Sequence, residues 1–211
     1  GFLGLLHMDI VQERLEREFG LSVIATAPSV AFQVILLDGT SETVSNPSKL
    51  PPASQINAIQ EPWLDMTVIS PSRYLGSIME HLTAQRGVFK RMEYLKGMEH
   101  DSSSTNPASD PRVLLEYRIP FSEILVNFYD RLKSSTQGYA TVDYTFASYE
   151  SAPLVRLDIL VNEEPVDALS TIIHRDRAYQ QGKATVERLK QVIPRQLFVV
   201  PIQASIANRV I

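Results

Sequence analysis

Cysteine is absent from this chain of 211 residues. Its absence excludes a disulfide framework, a zinc knuckle and a thiol nucleophile, and it is typical of a reducing compartment. No stretch approaches the ~18 consecutive apolar residues that a membrane-spanning helix needs, so we expect no transmembrane segment. An initiator methionine and a basic leader are also missing. The chain begins with GFLGLLHM, which predicts a piece cut from a longer protein with further domains.

The sequence also lacks the residue spacings of a metal site and of a nucleotide site. Its four histidines lie far apart, and none has a second histidine three or four residues away. Gly182-Lys183 resembles the end of a phosphate loop, but Arg177 stands where the first glycine belongs and Ala184 where a serine or threonine belongs. We therefore expect neither catalysis nor a bound cofactor or metal in this chain.

The charge is distributed unevenly. The chain is 44% hydrophobic and 21% charged, which is typical of a globular protein, and its formal net charge is −4. The segment from His174 to Arg195 holds six basic residues and two acidic ones, a local excess of four positive charges. The rest of the chain must then carry eight negative charges, so one end of an acidic protein is basic.

Residues 120–144 form the clearest helix-then-strand unit. Ser122 is placed to cap the helix, Glu123 lies in its first turn, and Arg131 and Lys133 lie in its last turn. One helix face carries apolar residues at 3.6-residue spacing: Ile124, Leu125, Phe128 and Leu132. After Gly138 the period changes to two, which predicts a half-buried strand. The core-facing residues of that strand are Ala140, Val142, Tyr144 and Phe146.

The same alternation of elements precedes this unit. We predict a strand over 63–69, a helix over 72–86 that Gly87 ends, and strands over 88–94 and 113–119. The helix residues expected to face inward are Tyr74, Leu75, Ile78, Met79 and Leu82. The order β-α-β-β-α-β predicts an α+β fold, a ferredoxin-like split β-α-β plait over residues 61–150. The polar loop at 96–111 is expected to be mobile, either an inert insertion or a phosphorylation segment.

Shorter pieces flank the plait. Residues 1–45 contain an amphipathic helix over 6–19 ended by Gly20, a strand over 21–37 kinked at Pro28, and a turn at Asp38-Gly39. Residues 46–60 are interpreted as a linker. Residues 151–211 predict a hairpin of 154–161 and 166–173, a helix over 178–192 and a strand over 198–206. This last unit is thin for a core of its own.

The basic segment is the strongest candidate site. Guanidinium and ammonium groups along one helix suit phosphate oxygens, which predicts contact with RNA or tRNA. An ordinary solvated helix face is the alternative. Because aromatic residues are not interleaved, sequence-specific reading of a single strand is disfavoured. The candidate residues are His174, Arg175, Arg177, Lys183, Lys190 and Arg195.

Seven stretches resemble one family in the same order along nearly the whole chain. They begin with GFLGLLHMDIVQERLEREFGLSVIATAPSV at 1–30, SKLP at 48–51 and EPW at 61–63. They continue with YLGSIMEHLTAQRG at 74–87 and FYDRLKSSTQGYATVDY at 128–144, and end with VDALSTIIHRD at 166–176 and VIPRQLF at 192–198. These stretches resemble the LepA translation factors, also called elongation factor 4. The last two are similar to the LepA-specific C-terminal domain, which elongation factor G lacks.

This resemblance implies a fold and a function. Residues 1–45 would be part of a domain III-like plait, residues 61–150 a plait like domain V of elongation factor G, and residues 151–211 a truncated LepA-type C-terminal domain. The chain would be the ribosome-binding part of a translational GTPase that acts on tRNA-loaded ribosomes, in back-translocation, fidelity or assembly. GTP and Mg²⁺ would belong to the parent protein. Contacts at the factor site of the ribosome would come from Ser72, Arg73, Arg86, Lys133 and Ser134.

The resemblance also implies a location. The parent would be cytoplasmic or peripheral on the inner face of the bacterial cell membrane, and the mitochondrial matrix or inner membrane is the alternative. A function of another class stays open as well. A free-standing plait for protein interaction or small-molecule sensing would share this fold, because ferredoxin-like domains serve many functions.

Overall fold

The computed structural model describes residues 5–24, 28–95, 110–194, 198–207 and 209–211. Four α-helices lie in this part of the chain: α1 (Leu5–Phe19), α2 (Leu75–Ala84), α3 (Phe128–Ser135) and α4 (Arg175–Val192). The first strands are β1 (Phe32–Leu36), β2 (Ser41–Val44), β3 (Ile56–Pro71), β4 (Val88–Leu95), β5 (Arg112–Pro120) and β6 (Thr141–Ser151). The later ones are β7 (Leu154–Val161), β8 (Glu164–Pro165), β9 (Thr171–His174), β10 (Ile202–Ile206) and β11 (Arg209–Val210). None of the described helices is both long and apolar enough to cross a membrane.

The predicted ferredoxin-like plait is confirmed. Strands β6, β3, β5 and β4 are neighbours in that order, and every pair is antiparallel. Helices α2 and α3 both cover one face of this sheet, and their buried residues join one core with the strands. That core consists of Leu64, Met66, Val68, Ile78, Leu82, Val113, Leu115, Tyr117, Ile119, Ile124, Phe128 and Leu132. Tyr74, Leu75 and Met79 pack against it as the sequence predicts.

Helix α2 ends in a way that the sequence predicts only in part. Arg86, with a φ of 59°, takes the left-handed conformation, and the Gly87 N–H donates to the Leu82 carbonyl at 2.9 Å. A Cβ on Gly87 would lie 2.6 Å from that carbonyl oxygen. Glycine is therefore needed at position 87 for the close approach of two backbone segments, and the left-handed residue is Arg86.

The predicted helix over 122–133 is wrong at its start. Residues Phe121–Glu123 form a single 3-10 turn, and α3 begins only after Asn127, whose φ is 58°. Ser122 does not cap a helix, because its hydroxyl donates to Glu61 at 3.4 Å. Leu125 packs against a second apolar cluster instead of the α3 core. Contacts with residues distant in sequence therefore override the helix that the local pattern predicts.

Strand β6 departs from the expected burial. Val142 packs against the plait core, but Tyr144 and Phe146 are 42% and 60% exposed. The predicted face is confirmed, because Tyr144 and Phe146 lie opposite the core residues Met66 and Leu64 of β3. The two rings are nevertheless not buried, since among the described strands β6 pairs with β3 alone and the eight-residue α3 does not cover it.

The N-terminal segments differ from prediction in length. Helix α1 and its Gly20 end are confirmed: Gly20 has a φ of 65° and its N–H donates to the Glu16 carbonyl. Of the strand predicted over 21–37, residues 32–36 form β1, and residues 25–27 lie outside the described residues. Strand β1 forms a hairpin with β2 through the predicted Asp38-Gly39 turn. This hairpin pairs with the first residues of β3, so β1 and β2 extend the plait sheet to six strands. Residues 56–60, within the segment interpreted as a linker, belong to β3.

A second antiparallel sheet follows, in the order β11-β10-β7-β8, with β9 also paired to β7. The predicted return strand over 166–173 is interrupted by a 3-10 turn at Asp167–Leu169, and the predicted strand over 198–206 begins at Ile202. Helix α4 lies on β7 and β10, where a Cβ on Gly182 would come within 2.9 Å of the Ala204 Cβ. Glycine at this position therefore lets the helix approach its sheet.

The hairpin and the second sheet share an apolar cluster, consisting of Val30, Phe32, Val34, Val44, Ile59, Leu154 and Ile172. The thin C-terminal unit thus packs on its neighbours. Most of the loop predicted to be mobile, residues 96–109, lies outside the described residues.

Candidate nucleic-acid interface

Helix α4 begins with a histidine cap. The Nδ1 atom of His174 accepts a hydrogen bond from the backbone N–H of Asp176 at 3.4 Å. The same atom lies 3.7 Å from a carboxylate oxygen of Asp176, and the His174 side chain is 16% exposed. One ring nitrogen of this candidate RNA contact is therefore engaged at the start of the helix.

Three of the predicted phosphate contacts form one exposed face. Arg175, Lys183 and Lys190 are all exposed. At 3.6 residues per turn they lie within about 80° around the helix and span about 23 Å along it. Within the described part of the chain, none of the three forms an ion pair. We call Arg175, Lys183 and Lys190 the basic face. Arg195, the last predicted contact, lies outside the described residues.

Arg177 is placed differently. Its Nη1 lies 2.5 Å from a carboxylate oxygen of Glu123 and donates to the Gln85 side chain at 3.4 Å. Its Nη2 donates to the backbone carbonyl of Ala84, at the end of α2. The side chain is 37% exposed. The guanidinium of Arg177 is thus engaged with the plait.

Glu123 belongs to a buried ion-pair network with Glu61, Arg86 and Arg177. Arg86 binds both carboxylate oxygens of Glu61, at 2.6 and 2.8 Å, and its Nε lies 2.8 Å from Glu123. The Glu61 side chain is fully buried, and those of Glu123 and Arg86 are 12% and 18% exposed. Burial alone would lower the pKa of Arg86, but its bonds and charge interactions with Glu61 and Glu123 raise it above the ordinary value. Two carboxylates thus face two guanidinium groups in this network, and the paired charges offset the cost of removing them from water.

The structure brings together four of the five predicted factor-site residues. The Tyr74 hydroxyl donates to the Gln137 side chain at 3.0 Å, and the rings of Tyr74 and Tyr139 stack at 6.3 Å. These contacts join the start of α2 to the end of α3, so Ser72, Arg73, Lys133 and Ser134 lie at one end of the plait. Arg73 pairs there with Asp110.

Arg86 lies at the opposite end of α2 from these four residues, inside the ion-pair network. Its predicted contact with the factor site stays a prediction, and the geometry gives this residue an internal role in the fold.

A groove of about 640 Å³ adjoins the network. The segments on either side of the β1–β2 hairpin, residues 122–126 and β9 contribute to its walls, and both Arg86 and Arg177 line it. No cluster of three or more potential metal ligands occurs among the described residues. Both arginines of the groove are paired with glutamates, whereas the three cations of the basic face form no ion pair within the described part of the chain.

Sequence patterns could not identify the network. Glu61 and Arg86 are separated by 25 residues, and Glu123 and Arg177 by 54. Helix and strand periodicities relate residues within one element, so they do not indicate pairs between residues that are distant in sequence. The burial of Glu61, which calls for such a partner, becomes visible only in the structure.

Two family models match consecutive parts of the chain. "Elongation factor G C-terminus" matches residues 58–160, and "GTP-binding protein LepA C-terminus" matches residues 161–211. Elongation factor 4 of Synechococcus elongatus is 49% identical over all 211 residues. The chain belongs to the LepA family.

Other members of the LepA family are equally similar. Elongation factor 4 of Lacticaseibacillus casei and that of Listeria monocytogenes are each 50% identical over the whole chain. The chain covers 33%, 32% and 33% of the Synechococcus, Lacticaseibacillus and Listeria proteins, so it spans about a third of their length. A solved structure from Thermus thermophilus covers 46% of this chain and 12% of its own, at 22% identity and a TM-score of 0.36.

Proposed function

We propose that this chain is the ribosome-binding C-terminal part of a LepA-type translation factor. In this proposal the plait contacts the factor site of the large subunit, and the basic face of α4 contacts phosphates of tRNA or ribosomal RNA. GTP and Mg²⁺ act in a part of the parent protein that this chain does not contain. The chain itself contributes binding and no chemistry.

The observation that carries the proposal is the basic face. Its three cations lie on one side of α4, an 18-residue helix that begins next to the plait. Phosphate contacts of this kind release counterions, so they supply affinity without reading sequence. An acidic protein with one exposed cationic helix face suits a partner whose charge is strongly negative.

Family membership supports the same proposal. Relatives about 50% identical over the whole chain are named elongation factor 4, and the plait matches the C-terminus of elongation factor G. The relatives compared are bacterial, which favours the cytoplasmic ribosome as the partner. Back-translocation, fidelity and ribosome assembly remain alternative roles within this proposal.

Salt dependence of ribosome binding tests the proposal. We expect the chain to sediment with ribosomes, and its affinity to fall linearly with salt on logarithmic axes. The triple variant Arg175→Gln, Lys183→Gln, Lys190→Gln should bind more weakly. Its slope should be lower by roughly 2 to 3, because each lost phosphate contact removes about 0.7 to 0.9.

Arg188→Gln is the matched control. Arg188 is exposed on the same helix but points away from the basic face, so its removal should leave the slope unchanged. A triple variant that folds normally and keeps the slope of the unmodified chain would overturn the proposed RNA contact. It would favour the alternative of a protein-interaction plait.

A further inference from the structure

We infer that Arg177 is a positioning residue, which fixes α4 against the plait and thereby sets the direction in which the basic face points. Its role in binding rests on the proposed function, whereas its role in fixing the helix can be measured without RNA. Arg177 was predicted from the sequence as a phosphate contact, and the inference gives it a different task.

The contacts of Arg177 all cross from α4 to the plait. The residues that it binds are 54, 92 and 93 positions away in sequence: Glu123, Gln85 and Ala84. Two of them lie at the C-terminal end of α2, where backbone carbonyls lack partners within the helix and a cation is favoured. Arg177 therefore caps a helix of the plait from a helix of the neighbouring unit.

Glu123 makes this contact specific. One of its carboxylate oxygens faces Arg86 at 2.8 Å and the other faces Arg177 at 2.5 Å. Arg86 is in turn held by both oxygens of the fully buried Glu61. The position of Arg177 is thus determined by a chain of bonds that reaches into β3, at the centre of the plait.

The rest of α4 is held by its own sheet. Its buried Gly182 faces β7 and β10, and the Arg175 N–H donates to the Pro153 carbonyl at 2.9 Å. Only two residues, Ala152 and Pro153, separate β6 from β7. Such a short connection together with the shared apolar cluster limits the position of the C-terminal unit, and Arg177 supplies the polar contact that fixes its angle.

Loss of Arg177 should leave the plait folded. Without it, Glu123 keeps Arg86 as a partner, and the Arg86–Glu61 pair is unchanged. The expected effect of Arg177→Gln is therefore a change of orientation, with a wider range of angles between α4 and α2.

Distances between two spin labels measure the orientation of α4 relative to α2. The chain has no cysteine, so each label can be attached to a single introduced cysteine. Glu80 on α2 and Glu187 on α4 are both exposed, and we choose Glu80→Cys and Glu187→Cys as label sites. With Arg177 present, the distance distribution should be narrow. Arg177→Gln should broaden or shift it, Arg177→Lys should restore part of the narrow distribution, and the matched control Arg188→Gln should leave it as it is.

Glu123→Gln serves as the second variant, since it removes the partner charge with little change of shape. If Arg177→Gln fails to fold, broadening in Glu123→Gln supports the inference and a narrow native distribution overturns it. A native distribution in a folded Arg177→Gln variant also overturns it.

Ribosome binding supplies the second readout. Arg177→Gln should weaken affinity by about 2- to 30-fold, in the range of residues that act through a coupled element. Its slope of log affinity against log salt should stay unchanged. A slope lowered by about 0.7 to 0.9 would instead show that Arg177 meets a phosphate, and it would overturn the inference. An unchanged slope in the triple basic-face variant would count against the proposed function alone, because the spin-label distances would still decide the role of Arg177.

Discussion

The imidazole ring of His81 on α2 stacks on the ring of Phe128 on α3, with centroids 5.1 Å apart and 24° between the planes. Phe128 is 1% exposed and belongs to the plait core. This ring pair lies where the two helices meet above the sheet, so each member predicts a measurable property of the plait.

Replacement of Phe128 by alanine should lower the free energy of unfolding by about 3–5 kcal/mol, because a buried aromatic ring leaves a cavity that close packing cannot fill. Denaturant unfolding measures the loss. Lys133→Ala, an exposed change on the same helix, should stay within about 0.5 kcal/mol. A loss below about 1 kcal/mol for Phe128→Ala would mean that the ring is not packed as described.

The stability of the chain should depend on the protonation of His81. Burial lowers the pKa of this imidazole below the ordinary 6.5, a hydrogen bond with the Phe128 backbone opposes that effect, and the nearby Arg131 adds to it. The unfolded chain therefore takes up a proton first as the pH falls. Stability should decline from about pH 6.5 down to the folded pKa and level off below it.

His81→Asn removes the titrating group and should flatten this part of the curve. Denaturant unfolding from pH 5 to pH 8 compares the two proteins. Parallel curves would show that His81 is as accessible to protons in the folded chain as in the unfolded one.

Two glycines, one within α2 and one just after it, should respond oppositely to replacement by alanine. Gly87→Ala should destabilise by about 1–3 kcal/mol, because the new methyl group would meet the Leu82 carbonyl oxygen. In Gly76→Ala, within α2, the added Cβ has nothing within 4 Å. This variant should raise the free energy of unfolding by about 0.5–1 kcal/mol. Thermal unfolding distinguishes the two, and equal shifts of the same sign would contradict the packing at position 87.

Calorimetry should detect no saturable binding of GTP to this chain, since no segment of the sequence has the residues of a phosphate loop. A full-length elongation factor 4 provides the positive control. Saturable binding by the chain alone would contradict this prediction and would require a nucleotide site without the phosphate-loop motif.

The plait was predictable because its signals are local and agree with one another. The 3.6-residue pattern from Tyr74 to Leu82 predicts one helix, and the strands predicted at 88–94 and 113–119 follow it in the order that one antiparallel sheet requires. The end of α2 was predictable in part, since Gly87 comes soon after the last apolar residue of the pattern, but the left-handed residue is Arg86.

The start of α3 and the task of Arg177 were not predictable in this way. Residues 120–127 carry helical spacing, but Glu123 is bound by two arginines, one of them 54 residues further along. Arg177 has the side-chain chemistry of a phosphate contact and lies in a basic segment of the sequence. Its actual partners, Glu123 and the end of α2, come close to it only in the folded chain. The burial of Tyr144 and Phe146 was overestimated because alternation does not reveal whether a helix is long enough to cover a strand.

Strand β3 runs without a break for 16 residues, about 53 Å at ~3.3 Å per residue, and it carries the N-terminal hairpin at one end and the plait at the other. A tensile load applied to the hairpin would pass along this single extended backbone and meet the β3–β5 and β3–β6 hydrogen bonds in shear, so that many must break together. The hairpin and the plait should therefore move as one rigid body under load.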